Sequence, residues 1–85
     1  MEGFNTEIKH GSVAFHVQTQ DKGLATQYVE SFVYKSGKLL ASRKTFYTPY
    51  LGHPQLKEKI QKIMEEQHQA LLGEINEGRF DHFLS

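Results

Sequence analysis

The side chains able to do acid–base or ligand chemistry are few, and the densest group of them is His16, Gln18 and Asp21, with Asn5 in the preceding segment. A histidine near a carboxylate can move a proton close to neutral pH or join in holding a metal. The same residues also compose an ordinary solvated sheet face followed by a turn aspartate. The remaining histidines, at 10, 53, 68 and 82, form no His-x-His or His-Glu-x-x-His pattern. No spacing sets two of them on one helical face, so no metal site is assigned. His10 suits a turn, His53 leads into a helix, His68 flanks an apolar stripe and His82 belongs to the tail. The serines at 12, 31, 36, 42 and 85 lack a nucleophile-elbow context, and no glycine-rich phosphate loop is present. No catalytic residue and no cofactor are assigned, and the expectation is a protein that is not an enzyme.

The elements that would carry these residues are two hairpins. A two-residue turn at His10-Gly11 pairs Ile8 with Val13, Thr6 with Phe15 and Phe4 with Val17, while Asn5, Glu7, His16 and Gln18 point the other way. A second turn at Ser36-Gly37 pairs Tyr34 with Leu39, Phe32 with Ala41, Glu30 with Arg43 and Tyr28 with Thr45. Its opposite face sets Val33 across from Leu40 and Ser31 from Ser42. Between the hairpins, residues 20–26 carry turn formers without a period and read as a loop. Tyr28, Phe32 and Tyr34 alternate along one strand, as a sheet that stacks bases would have them. Without a ribonucleoprotein-type motif, they fit a core or a dimer interface better.

After the fourth strand, residues 48–53 form a connector pinned by Tyr50 or Leu51. From Pro54 the period becomes helical: Leu56, Ile60, Ile63, Met64, Gln67, Leu71 and Ile75 recur at spacings of three and four. Pro54 suits the first helical position and Gly78 the left-handed residue past the end, which predicts a helix over 54–77 with Gly73 as a weak point. Lys57, Lys59 and Lys62 lie in its first turns, an order the helix dipole disfavours. They compose a solvated face or, with Arg43 and Lys44, a basic edge. In the tail, residues 78–85, Phe80, Phe83 and Leu84 are expected to dock.

Composition sets the limits. Eighty-five residues make one domain. Ten basic and ten acidic side chains balance, so no global field draws a nucleic acid or an anionic membrane. A nucleic-acid partner is not expected. Cysteine is absent, which removes disulfides, thiol catalysis and thiolate metal sites. No apolar run approaches the roughly 20 residues of a membrane helix, and the start lacks a signal-peptide pattern. A cytoplasmic protein is expected.

The run His16-Val17-Gln18-Thr19-Gln20-Asp21-Lys22-Gly23, followed by Glu30-Ser31-Phe32-Val33-Tyr34, Gly37-Lys38-Leu39-Leu40 and later Gln67-His68, resembles a small bacterial domain family of unknown function. Gln20 stands where the family's motif has a glutamate. The resemblance covers residues 13–80 and implies no activity or ligand. It points to His16, Gln18, Thr19, Asp21 and Gly23 as a binding surface.

Together these readings predict an α+β domain over 1–85. A four-stranded antiparallel meander (3–47) precedes one long helix packed on the face of Phe4, Ile8, Val13, Phe15 and Val17. A helix of that length would overhang strands of about seven residues, and the second hairpin is apolar on both faces. A homodimer is therefore expected, contacting through Tyr28, Phe32, Tyr34 and Leu39 or through the overhanging helix. Binding of a small ligand or nucleic acid around His16, Gln18 and Asp21 is the alternative.

Overall fold

The structure, a computed structural model, describes residues 3–80. Four strands, β1 (Phe4–His10), β2 (Val13–Asp21), β3 (Tyr28–Lys35) and β4 (Lys38–Phe46), form one antiparallel sheet in the order β1-β2-β3-β4. A short 3-10 turn (Thr48–Tyr50) leads to one helix, α1 (Leu56–Asn76), packed on one sheet face. The expected fold class is the observed one.

Two registers differ from expectation. In the first hairpin His10 pairs with Val13, Ile8 with Phe15, Thr6 with Val17 and Phe4 with Thr19, so the turn is Gly11-Ser12 rather than His10-Gly11. Gly11, with φ +65, occupies the first central position, where a type II′ turn needs a glycine. Moving the turn by one residue moves every pairing by two, which leaves the faces unchanged. In the second hairpin Ser36 (φ +52) and Gly37 (φ +79) make the expected primed turn, and Tyr34 pairs with Leu39. Then Leu40 is bulged out, and the pairs become Val33 with Ala41, Phe32 with Ser42, Ser31 with Arg43, Glu30 with Lys44 and Tyr28 with Phe46. A single inserted residue exchanges the faces of everything beyond it. Glu30 and Arg43 are therefore not partners, and Arg43 turns toward the helix, where its guanidinium makes a two-pronged ion pair with Glu74 at 2.8 Å on each prong.

The helix spans residues 56–76 rather than 54–77 and runs unbroken through Gly73. Its end is a full Schellman motif. Gly78, at φ +82, donates its N–H to Ile75 O (3.0 Å), and Arg79 donates to Glu74 O (3.0 Å). Ile60, Met64, Gln67, His68, Leu71 and Ile75 are buried against the sheet. No overhang remains. β2 and β4 have nine residues each, about 30 Å of strand, against about 32 Å for the 21-residue helix. Tyr47 and Phe80 cover the two ends of the stripe. Phe80 docks as expected, while Phe83 and Leu84 lie outside the described residues. The connector is pinned by fully buried Tyr47, not by Tyr50 or Leu51, which are 39% and 38% exposed.

Candidate functional site: the open sheet face and the polar belt behind it

The core between sheet and helix has two apolar halves with a polar belt between them. Phe15, Val17, Val33, Leu71, Ile75 and Phe80 form one half, and Val29, Tyr47, Ile60 and Met64 the other. The belt follows from the register: Phe4, Thr19, Ser31 and Arg43 lie in one row across all four strands. Gln67 and His68 face that row from the helix.

Gln67 Nε2 donates to Ser31 Oγ (2.8 Å) and to the Arg43 carbonyl (3.2 Å), and Thr45 Oγ1 donates to Gln67 Oε1. Ser31 Oγ and Thr19 Oγ1 are 2.6 Å apart, Thr19 Oγ1 is 2.7 Å from His68 Nδ1, and His68 Nε2 is 2.8 Å from Thr6 Oγ1. The hydrogen positions follow from satisfying the chain. Thr19 Oγ1 is the acceptor within reach of the Ser31 proton among the described side-chain contacts, so that proton goes to Thr19. The Thr19 proton then goes to His68 Nδ1, and Nε2–H donates to Thr6. A second ring proton would point at Thr19 Oγ1 and leave one hydroxyl proton without an acceptor. Burial, aided by nearby His16, holds the His68 pKa below the ordinary 6.5. Among the described residues no buried side-chain nitrogen or oxygen lacks a partner.

This arrangement divides the sequence-predicted binding set. Thr19 is fully buried inside the belt, not on the outer face. Asp21 holds the β2–β3 loop: its Oδ1 accepts from Gly23 N–H (3.0 Å) and from Tyr47 O–H (2.7 Å). Burial, followed by that carboxylate, raises the Tyr47 pKa to about 12. Gly23, at φ +96, serves the same reversal. Only His16 and Gln18 remain on the open face. His68, read from the sequence as a flank of the apolar stripe, is at the centre of the belt. Thr19 and Gln67-His68, far apart in the sequence, meet there.

The open face joins His16 and Gln18 to the residues expected at an interface. His16 stands across from Tyr34, Gln18 from Phe32, Tyr34 from Leu39 and Tyr28 from Phe46. His16 Nε2–H donates to Asn5 Oδ1 at 3.2 Å. Ring centroids are 6.4 Å apart for His16 and Tyr34, 6.2 Å for Phe32 and Tyr34, and 5.1 Å for Tyr28 and Phe46. Lys44 Nζ lies 4.7 Å from the Tyr28 centroid, within cation–π range. Leu39 and Phe46 are 50% and 56% exposed. Phe46 reaches this face only because of the bulge, and for that reason the sequence did not reveal it.

The other surfaces offer less. The helix exterior carries Lys57, Glu58, Lys62, Glu65, Glu66 and Gln69 and is a solvated face. The basic edge does not form, because Arg43 is tied to Glu74 near the far end of the helix and Lys44 turns to the open face. A groove of about 370 Å³ runs between β1 and α1, lined by Thr6, Glu65, His68 and Gln69 among others. Both His68 nitrogens are engaged within the belt. Among the described residues no group of three or more His, Asp or Glu side chains is placed to hold a metal. Comparison with protein-family models, curated proteins and solved structures found nothing that matches this chain.

Proposed function

We propose that this domain is a non-enzymatic protein-interaction module that self-associates, and that the open sheet face is the surface it presents. One observation carries the reading. The helix buries the centre of its stripe, Ile60, Met64, Leu71 and Ile75, against the sheet, whereas Tyr28, Phe32, Tyr34, Leu39 and Phe46 share the opposite sheet face, which none of the other described elements covers. A contiguous aromatic face of this kind on a small domain supports an interface. Its charges, Glu7, Lys9, Glu30 and Lys44, balance in sign, so two copies can face each other without net repulsion. A cytoplasmic setting belongs to the same proposal; among the described residues no helix is long and apolar enough to cross a membrane.

The test is sedimentation equilibrium of the wild type and Phe32→Ser, with the fold of each checked by circular dichroism. The expected result is a reversible, concentration-dependent mass profile in the wild type that Phe32→Ser lowers, by removing the contact through the open face, and that a helix-surface change, Lys62→Ser, leaves in place. A wild type that stays at 9.8 kDa up to high micromolar concentration would overturn the reading.

A second reading is binding of a flat ligand or single-stranded nucleic acid to the same face. Lys44 over Tyr28 and the amides of Gln18 and Gln20 beside Phe32 support it. Asp21 has no part in it, being turned to Tyr47. Titration with a short oligothymidylate, followed by amide chemical shifts, would move a patch around Phe32, Gln18 and Lys44 if this reading holds.

A further inference from the structure

Among the described residues β1 and β4 are the edge strands of the sheet, and the two edges are built differently. β4 carries the bulge at Leu40 and the cations Lys38, Arg43 and Lys44 with no acid among them. Irregularity and like charges are how proteins block a strand edge from pairing. β1 has no bulge, and its charges, Glu7 and Lys9, are opposite in sign and so can pair across an edge instead of blocking it. All seven of its residues pair in regular register with β2, and it contains no proline.

The outward backbone groups of β1 can be assigned. A two-residue turn closes on a pair joined by both hydrogen bonds, so His10, Ile8, Thr6 and Phe4 direct their N–H and C=O groups to β2. Asn5, Glu7 and Lys9 then direct theirs outward. An antiparallel partner strand must align its own outward groups with these.

We infer that β1 is the pairing edge for a second copy of this chain, antiparallel about a two-fold axis at Ile8, so that Glu7 of each copy lies opposite Lys9 of the other. This goes beyond the reading above, since it uses backbone on a different surface. Charge selects the register. With the axis at Ile8, the outward residues Glu7 and Lys9 meet Lys9 and Glu7, Ile8 meets its own copy, and Thr6 meets His10. An axis at Glu7 would set two glutamates directly opposite each other, and one at Lys9 two lysines, which are destabilising pairs. Both charged side chains are exposed on the open face of the sheet. Ile8, only partly covered on the helix side, gains cover from its twin.

The helices permit this approach. α1 packs chiefly over β2, so in the pair the two helices are separated by three strand spacings, about 14 Å. Packed helices need only 8–10 Å, so they do not collide. The axis stands perpendicular to the sheet, which leaves both helices on one side and both aromatic faces on the other. The product is an eight-stranded sheet with one doubled open face.

The experiment uses the full chain in the Phe32→Ser background, which separates edge pairing from any contact through the open face. The expected mass at high micromolar concentration is twice 9.8 kDa. Glu7→Lys alone, or Lys9→Glu alone, sets like charges opposite each other and weakens the association by about tenfold or more. The double exchange Glu7→Lys with Lys9→Glu restores it, a rescue that general surface charge does not produce. Hydrogen exchange should show the amides of Glu7 and Lys9 becoming protected with rising concentration. The proposal is overturned if Phe32→Ser stays monomeric, or if the single reversals leave the mass unchanged, or if the double exchange fails to rescue. If the edge pair forms but Phe32→Ser and wild type have identical mass profiles, the open-face reading fails while the edge pairing stands.

Discussion

Two glycines show how far single positions differ in what they tolerate. A methyl group at Gly3 would lie 2.3 Å from the Thr19 carbonyl oxygen, which is backbone in the adjoining strand and cannot step aside, whereas one at Gly73 would meet nothing within 4 Å. Gly3→Ala is expected to cost about 1–3 kcal/mol by overpacking. Gly73→Ala, in a helix interior, should stabilise by about 0.5–1 kcal/mol. Urea denaturation of the two variants measures both, and equal signs would contradict the geometry. Thr19 is a stricter case. Thr19→Val keeps the volume but strands the Ser31 hydroxyl proton and His68 Nδ1 together, an expected loss of about 2–3 kcal/mol. Thr6→Val interrupts only the outer end of the chain, beside the groove, and should cost less in the same denaturation series.

Besides the Gln67 hydrogen bonds, β4 and α1 are linked by the ion pair that the bulge makes possible. Glu74 is held below the usual carboxylate range, first by its hydrogen bonds from Arg43, and Arg43 is raised by the same contact. With the Arg43 side chain 41% exposed, solvent screens much of that interaction, so Glu74→Gln should cost only about 1 kcal/mol. The loss should shrink in molar salt when the denaturation is repeated there. Why the sequence showed some of this and not the rest is a matter of what period-2 alternation can resolve. Turns at His10-Gly11 and at Gly11-Ser12 put the same residues of β1 and β2 on the same faces, so the pattern fixes the faces and leaves the pairing open by two. The bulge was hidden because Leu39, Leu40 and Ala41 are all apolar; no polar residue marks which one leaves the ladder. Fold class, helix face and C-terminal stop were legible, since each rested on a periodicity or a glycine with one physical meaning. The belt was not, because Gln67 stands within an apolar stripe and His68 beside it. The signal was present as inward-facing Thr19 and Ser31 in one row and Thr6 in the next, small hydroxyls that an apolar helix would leave unsatisfied.

At the scale of the whole molecule, the belt is the polar layer that ties the helix to the two central strands, and its hydrogen-bond direction depends on a neutral His68. The consequence is a dependence of global stability on pH with a definite sign. The folded-state pKa of His68 lies below its unfolded value near 6.5, so the unfolded chain binds the proton first as the medium is acidified. The stability His68 contributes is complete above pH 6.5 and declines as pH falls from there through the folded pKa. The groups that face this ring are Thr6 and Thr19 from the sheet, the Phe4 ring at 5.5 Å and Glu65 along the groove, while His16 acts from the opposite side of the sheet to lower the His68 pKa further. Replacement by a residue that cannot titrate, His68→Gln, removes this contribution. Thermal denaturation of wild type and variant between pH 7.5 and 5 is expected to show the wild type losing stability more steeply, so that the gap between them narrows in acid. Parallel profiles would mean that His68 takes up its proton in the folded state as readily as in the unfolded chain, and the directional chain from Gln67 to Thr6 could not then be correct.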